Sequence, residues 1–348
     1  MIQATYQRYV LNFKQASGTS RGVLKTKETF FLVLQEGAKI GYGETGLFRG
    51  LSADDVQDYE EKLQWACAQV NQGLPYLLEN LKGYPSIQFG LEQAFLSLAS
   101  DHPFHLFSTP FVTDEAPINI NGLVWMGEIP FMEQQIEDKL AQGFTTIKLK
   151  IGALDFEKEC RLLEAIRTRF SKEEIQIRVD ANGAFTPENA LEKLERLARF
   201  DIHSIEQPIR QGQIAAMQEL CLKSPLPIAL DEELIGVFDK AAKETLLQKI
   251  QPQYIILKPS LVGGIGGSQE WITLAEKYGI DWWITSALES NIGLNAIAQW
   301  TSTLEATMPQ GLGTGGLFTN NITAPLLVEK GNLYYKTGLN WDLSLLNK

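Results

Sequence analysis

The sequence predicts an α/β protein built on a parallel β/α barrel, preceded by an α+β segment. From about residue 115, strand-like runs alternate with helix-like runs at a pitch of roughly 25 to 30 residues, the spacing of right-handed β-α-β units. About seven or eight such units suit a barrel better than an open sheet. The runner-up, a doubly wound sheet, places a Gly-rich phosphate turn after its first strand, and "VWMGEIP" is not one.

Before residue 100 the pattern differs. "YQRYVLNF" and "ETFFLVLQEG" read as strands. "LSADDVQDYEEKLQWACAQV" has a helical period, opened by Ser52 with acids in the first turn. "IQFGLEQAFLSLAS" reads as a second helix. "ASGTSRGVLKTK", rich in Gly, Ser, Thr and bases, is expected to be a mobile loop.

The barrel strands follow in order: "INGLVWMG" (120–127), "TTIKLKIG" (145–152), "IQIRVDANG" (175–183) and "IHSIEQPI" (202–209). "PIALDEEL" (227–234), "YIILKPSLVG" (254–263) and "DWWITSALES" (281–290) complete the set. "FMEQQIEDKLAQG", "TPENALEKLERLARF" and "SQEWITLAEKYG" are intervening helices. The tail after "QGLGTGGLFTNN" is expected to return to the first segment. The resulting division is 1–113, 114–310 and 311–348.

Composition narrows the function. Of 348 residues, 44% are hydrophobic, enough for a large core. A net charge of −11 argues against nucleic acid or an anionic membrane as partner, while a small anionic ligand in a locally basic pocket stays open. Cys67, Cys160 and Cys221 are scattered, with no CxxC spacing, and read as reduced thiols of a cytoplasmic protein. The N-terminus lacks the basic flank and apolar stretch of a secretory signal, and no apolar run is long enough to span a bilayer.

In "TTIKLKIG", Ile147, Leu149 and Ile151 share one face of a strand and Lys148 and Lys150 the other. Alone, this is the ordinary pattern of a solvated strand, just as "DAN" alone is an Asx turn and "EQP" or "DEE" alone is surface charge. The ordered set says more. The second strand carries Lys148 and Lys150, and the third, fourth and fifth carry Asp180, Glu206 and Asp231 with Glu232. The sixth carries Lys258. In a parallel barrel these strand ends share one face. Three carboxylates on neighbouring strands repel unless a cation joins them, and oxygen ligands without Cys or His suit Mg²⁺ or Mn²⁺. The second and sixth strands lie opposite each other, so a carboxylate substrate on the metal has Lys150 on one side and Lys258 on the other. A lysine near a divalent cation and a second ammonium has a lowered pKa and becomes accessible as a base.

"KLK", "VDANGAF", "IEQP", "LDEE" and "ILKPSLVGG" together resemble the enolase superfamily, in its branch with KxK on the second strand and a lysine on the sixth. The resemblance covers nearly the whole chain and implies an α+β capping domain followed by a modified TIM barrel, (β/α)7β. "ITSALESNIGLNAIAQW" and "QGLGTGGLFTNNI" are similar to the seventh and eighth strand regions of the o-succinylbenzoate synthase family of menaquinone biosynthesis. That family implies Mg²⁺ on Asp180, Glu206 and Asp231, supported by Asn182 and Glu232. It implies Lys150 as the base, Lys148 lowering the pKa of Lys150, and Lys258 stabilising an enediolate. The substrate implied is 2-succinyl-6-hydroxy-2,4-cyclohexadiene-1-carboxylate. Expected substrate contacts are Ser286, Ser290 and Asn291 near a helix N-terminus, Gly313 and Thr314 after the eighth strand, and Arg21 folding over the mouth.

Rivals are separable by residue. A mandelate-racemase-type His–Asp dyad is missing from "ILKPS" and "WWITS". Dipeptide epimerases carry an Asp-x-Asp after the eighth strand, and "GLGTGGLFTNN" has no acid. N-succinylamino acid racemase and muconate-cycloisomerising relatives stay open. A non-catalytic barrel that keeps only the metal site would have lost a lysine or a carboxylate, and all are present.

Overall fold

The computed structural model describes residues 1–19 and 22–346. Three long antiparallel strands open the chain: β1 (Gln3–Thr19), β2 (Gly22–Glu36) and β3 (Lys39–Thr45), in that spatial order. The loop expected over residues 16–27 is mostly strand. Ser17 pairs with Leu24 and Gly18 with Val23, after a register shift between Asn12 and Ser17. Ladder bonds come from the backbone, so a Gly/Ser/Thr-rich composition does not prevent pairing once a neighbouring strand is in register. Arg21 lies outside the described residues.

The helix Pro85–Ala99 covers this sheet. Glycine makes the close approach possible: a Cβ on Gly43 would stand 2.1 Å from the Gly90 carbonyl oxygen, and one on Gly90 2.5 Å from Thr45 Cγ2. The first helix runs from Tyr59 to Ala68, so it starts later than Ser52 predicts. Ser52 and its neighbouring acids serve other local bonds. Ser52 Oγ accepts the Phe48 N–H, Asp55 takes Arg49 and the Gly50 N–H, and Asp54 accepts from both the N–H and hydroxyl of Ser86 at the start of Pro85–Ala99. Such side-chain acceptors favour turns over helix.

β4 (Ile118–Asn119) leads into the barrel, whose staves are β5 (Gly122–Val124), β6 (Thr146–Lys150), β7 (Gln176–Asp180) and β8 (Ser204–Glu206). They continue with β9 (Ile228–Leu230), β10 (Tyr254–Leu257) and β11 (Asp281–Ile284). All seven pair in parallel, in chain order. Gln310 bridges to Ile120 and Gly311 to Thr285, both parallel. These two residues act as a short eighth stave and close the ring. The intervening helices, such as Pro187–Ala198 and Gly264–Lys277, bury their apolar faces on the outside of the staves.

After the eighth stave, Phe318 bridges to Phe13 and the Thr319 N–H reaches the Asn12 carbonyl at 2.9 Å. β12 (Leu326–Glu329) and β13 (Asn332–Tyr335) form a small antiparallel sheet with β4. The first domain is locked on the barrel by two buried carboxylates. Glu44 of β3 accepts from Ser290 and Gly293 N–H at 2.9 Å each, at the start of the helix Asn291–Thr301. Glu92 accepts from Ile265 and Gly266 N–H, at the start of Gly264–Lys277. Both meet unsatisfied amides at the positive end of a helix dipole. Among the described residues all three cysteines are free thiols, and no helix is long and apolar enough to cross a membrane.

Gly43→Ala is expected to lower unfolding stability by about 1–3 kcal/mol through overpacking, read as a lower urea midpoint. An unchanged midpoint would mean that the covering helix can retreat freely. Burial pushes the Glu92 carboxyl up to about 7, although the Gly266 and Ile265 amides pull it down. A carboxyl raised on folding adds stability at low pH that is lost as pH rises through its folded value. Glu92→Gln should flatten that slope, measured as the difference between variant and parent stabilities from about pH 5 to about pH 8.

Candidate active site

On β6, alternation points Ile147 and Leu149 at the helices and Lys148 and Lys150 into the barrel. Both lysines are only 8% exposed. Lys150 stands level with Asp180 of β7, which stands level with Glu206 of β8. Asp231 follows β9 and Lys258 follows β10. The expected constellation therefore shares one end of the barrel.

The six charges are interleaved. Lys148 Nζ lies 2.9 Å from Asp180 and also pairs with Glu206. Lys150 Nζ lies 2.5 Å from Asp180 and donates to Asn182 Oδ1 at 2.9 Å. Lys258 pairs with Asp231, and its Nζ is 4.0 Å from Glu206 Oε1. With the ammonium groups between them, the carboxylates are held apart. Among the described residues no three His, Cys, Asp or Glu side chains form a ready-made metal cluster.

The environments separate the three lysines. Burial disfavours the charge on each. For Lys148 the carboxylates of Asp180, Glu206 and Asp231 outweigh burial and hold it above an ordinary lysine. For Lys258, Asp231 and Glu206 do the same. For Lys150 burial wins: Asp180 opposes it, but the Lys148 and Lys258 ammoniums add to it, and the pKa falls. Burial works against the charge of the acids too. Asp180 is nevertheless held far below the usual range by Lys148 and Lys150, and Asp231 is lowered by Lys258. Glu206 goes the other way, pushed well up by burial and by the nearby Asp180 and Asp231. Its Oε1, buried, has no hydrogen bond. An oxygen-only set containing such an atom fits a hard divalent cation.

Two loop residues brace the set. Asn182, in a left-handed conformation at φ 44°, donates from Nδ2 to Glu232 Oε1 at 3.0 Å. Gln207, at φ 39°, was not singled out by the sequence reading, although "EQP" contains it. Its Oε1 accepts from the Asp231 and Glu233 N–H groups at 3.2 Å each, fixing the turn that carries Asp231.

Lys148, Lys150 and Lys258 line one cavity. Ser286, Gly313 and Thr314 line it as expected, and the Ser286 and Thr314 hydroxyls bond each other at 2.7 Å. Ser290 and Asn291 do not line it. Ser290 is fully buried on Glu44, and Asn291 Nδ2 donates to the Ile322 carbonyl at 2.6 Å, so both tie segments together. Sequence reasoning missed the remaining wall. Leu24, Phe48 and Leu51 come from the first domain. Asn121, Leu123 and Trp125 come from the first stave, and their two-residue spacing was the available signal.

A parallel barrel with a lysine pair on the second stave, acids on the third to fifth and a lysine after the sixth defines an enolase-type barrel. A family model described as "Enolase C-terminal domain-like" matches residues 132–339, and one described as "MenC, N-terminal domain" matches residues 1–98. The o-succinylbenzoate synthase of Desulfotalea psychrophila is 46% identical over 95% of this chain and 98% of its own length. The crystal structure of MenC from the same organism has a TM-score of 0.85 at 44% identity, covering 96% of this chain and 99% of that one. A dipeptide epimerase from Cytophaga hutchinsonii, complexed with Mg and D-Ala-L-Val, shares the fold, with a TM-score of 0.84 at 20% identity over 99% and 97% of the chains. The chain belongs to the enolase superfamily and, within it, to the o-succinylbenzoate synthase family.

Lys148→Met removes the ammonium that bridges Asp180 and Glu206. The expected loss of stability in metal-free buffer is about 3–5 kcal/mol, the cost of an uncompensated buried charge. Added divalent cation should recover part of it. A variant as stable as the parent without metal would show that Lys148 does not balance these acids.

Proposed function

We propose that this protein is an o-succinylbenzoate synthase, dehydrating 2-succinyl-6-hydroxy-2,4-cyclohexadiene-1-carboxylate to 2-succinylbenzoate in menaquinone biosynthesis. The observation that carries the reading is a cavity lined by three lysines from opposed staves, each paired with Asp180, Glu206 or Asp231. Such a wall suits a substrate with two carboxylates and no ammonium group. The 46% identical relative supports the same reading.

Asp180, Glu206 and Asp231 would hold Mg²⁺, or Mn²⁺ in its place, with Asn182 and Glu232 bracing them. When bound, the cation supplies Lewis-acid stabilisation of charge on the substrate carboxylate. Lys150, with its lowered pKa, takes the proton α to that carboxylate, and the electron pair moves into the carboxylate as an enediolate. Lys258 stays protonated on the opposite side and stabilises the developing negative charge. Burial lowers the Lys150 pKa, and the Lys148 ammonium adds to this by repulsion. The enediolate then collapses: its electron pair forms the new ring double bond as the C–O bond breaks. Lys150 returns its proton to the departing hydroxide, which leaves as water. The ring becomes aromatic, so this step is strongly downhill. Ser286, Gly313 and Thr314 would contact the rest of the substrate.

For the chain as a whole we divide capping domain and barrel at 113/114, and barrel and returning segment just after the Gln310–Gly311 stave, one residue beyond the 310/311 cut read from the sequence. Its partner is a small-molecule carboxylate. A cytoplasmic location accords with the three free thiols.

Lys150→Ala and Lys258→Ala are each expected to lower kcat by about a thousandfold or more while the fold survives, followed as appearance of the aromatic product. Less than about a tenfold loss in Lys150→Ala would remove the base assignment. Chelation should abolish turnover and Mg²⁺ restore it. α-Proton exchange on N-succinyl amino acids, run on the same preparation, separates the racemase: a higher kcat/KM there would overturn the synthase reading and leave the lysine chemistry intact.

A further inference from the structure

Staves three to five hold the acids, so in a ring of eight the opposite arc is formed by staves seven, eight and one. A substrate whose reacting carboxylate faces the acids extends its other end toward that arc. Thr285, Ser286, Gly311, Thr314 and Asn121 line it. Most of their side-chain polar groups are already engaged. The Thr285 hydroxyl donates to the Gly311 carbonyl at 2.9 Å, and Ser286 and Thr314 bond each other.

Asn121 differs. It is 5% exposed, and its Oδ1 is buried with no hydrogen-bond partner. Its backbone is fixed, because the Asn121 N–H donates to the Gln310 carbonyl at 2.9 Å across the ring closure. Alternation puts it on the inward face with Leu123 and Trp125, which offer it little polar company. A buried amide oxygen without a partner is costly, and a ligand that brings an acceptor favours the flipped amide, with Nδ2 in its place. A half-turn about Cβ–Cγ exchanges its two ends, so the same side chain can present N–H toward a ligand oxygen.

We infer that Asn121 is a specificity-determining residue that hydrogen-bonds the oxygens of the substrate's succinyl arm. This rests on the dehydration proposed above. The amide selects for a polar arm on the side of the cavity remote from the reacting carbon, while the lysines and acids act on the ring carboxylate whatever the arm is.

The test compares Asn121→Leu and Asn121→Asp with the parent, all loaded with Mg²⁺. The ligands are 2-succinylbenzoate and benzoate, which has no arm. Asn121→Leu should weaken 2-succinylbenzoate binding by about tenfold or more and leave benzoate within about twofold. KM should rise more than kcat falls. Asn121→Asp, nearly the same shape, should be worse than Asn121→Leu because its charge repels the arm's carboxylate. Equal weakening of both ligands, or an unchanged KM in either variant, would overturn the inference. A parent that binds both ligands but does not dehydrate the substrate would instead sink the proposed function.

Discussion

The interleaving of three lysines with three carboxylates at the mouth of the barrel is the constraint on which the site depends. Five of these groups are buried, and the Lys258 side chain is 12% exposed. An isolated charge there would carry a desolvation penalty of several kcal/mol. Together they neutralise one another, and burial sets the direction in which Glu206 and Lys150 titrate, with the neighbouring acids adding to it at Glu206 and the neighbouring lysines at Lys150. Within the set, Glu206 Oε1 is left without a hydrogen bond.

That arrangement needs a rigid frame and a cover. The frame is the ring of staves, closed by only two residues, Gln310 and Gly311. The cover is the first domain, and it is held by polar bonds at defined points. Glu44 and Glu92 each sit on the amide end of a barrel helix, one after the sixth stave and one after the seventh. Docking in this register brings Leu24, Phe48 and Leu51 over the cavity. The fold thus combines a charged interior with an apolar lid, and the lid's exclusion of water strengthens every interaction beneath it.

The charged set was legible because a parallel barrel preserves chain order in space. "KLK", "DAN", "EQP", "DEE" and "LKP" each mark the end of one stave, and successive staves are neighbours. The period-two alternation of β6 said which residues face in. The extension of β1 and β2 through a Gly/Ser/Thr-rich stretch was not legible, since pairing there is decided by the partner strand. Ser290 and Asn291 looked like ligand contacts from their position before a helix. Glu44 lies 246 residues from Ser290, and nothing local to either shows that they meet.

By itself, then, the sequence determined the barrel, the order of its staves and the chemistry at their ends, because these follow from patterns only a few residues long. Tertiary structure decided what closes the ring, which polar residues are used up in holding domains together, and which are left facing the cavity. Gln207 and Asn121 illustrate the division: one amide is fully engaged in bracing a turn and the other is left with an unfilled acceptor. Two side chains of similar chemistry differ only in which partners long-range packing brings within hydrogen-bond reach, and such contacts leave no periodic trace along the chain.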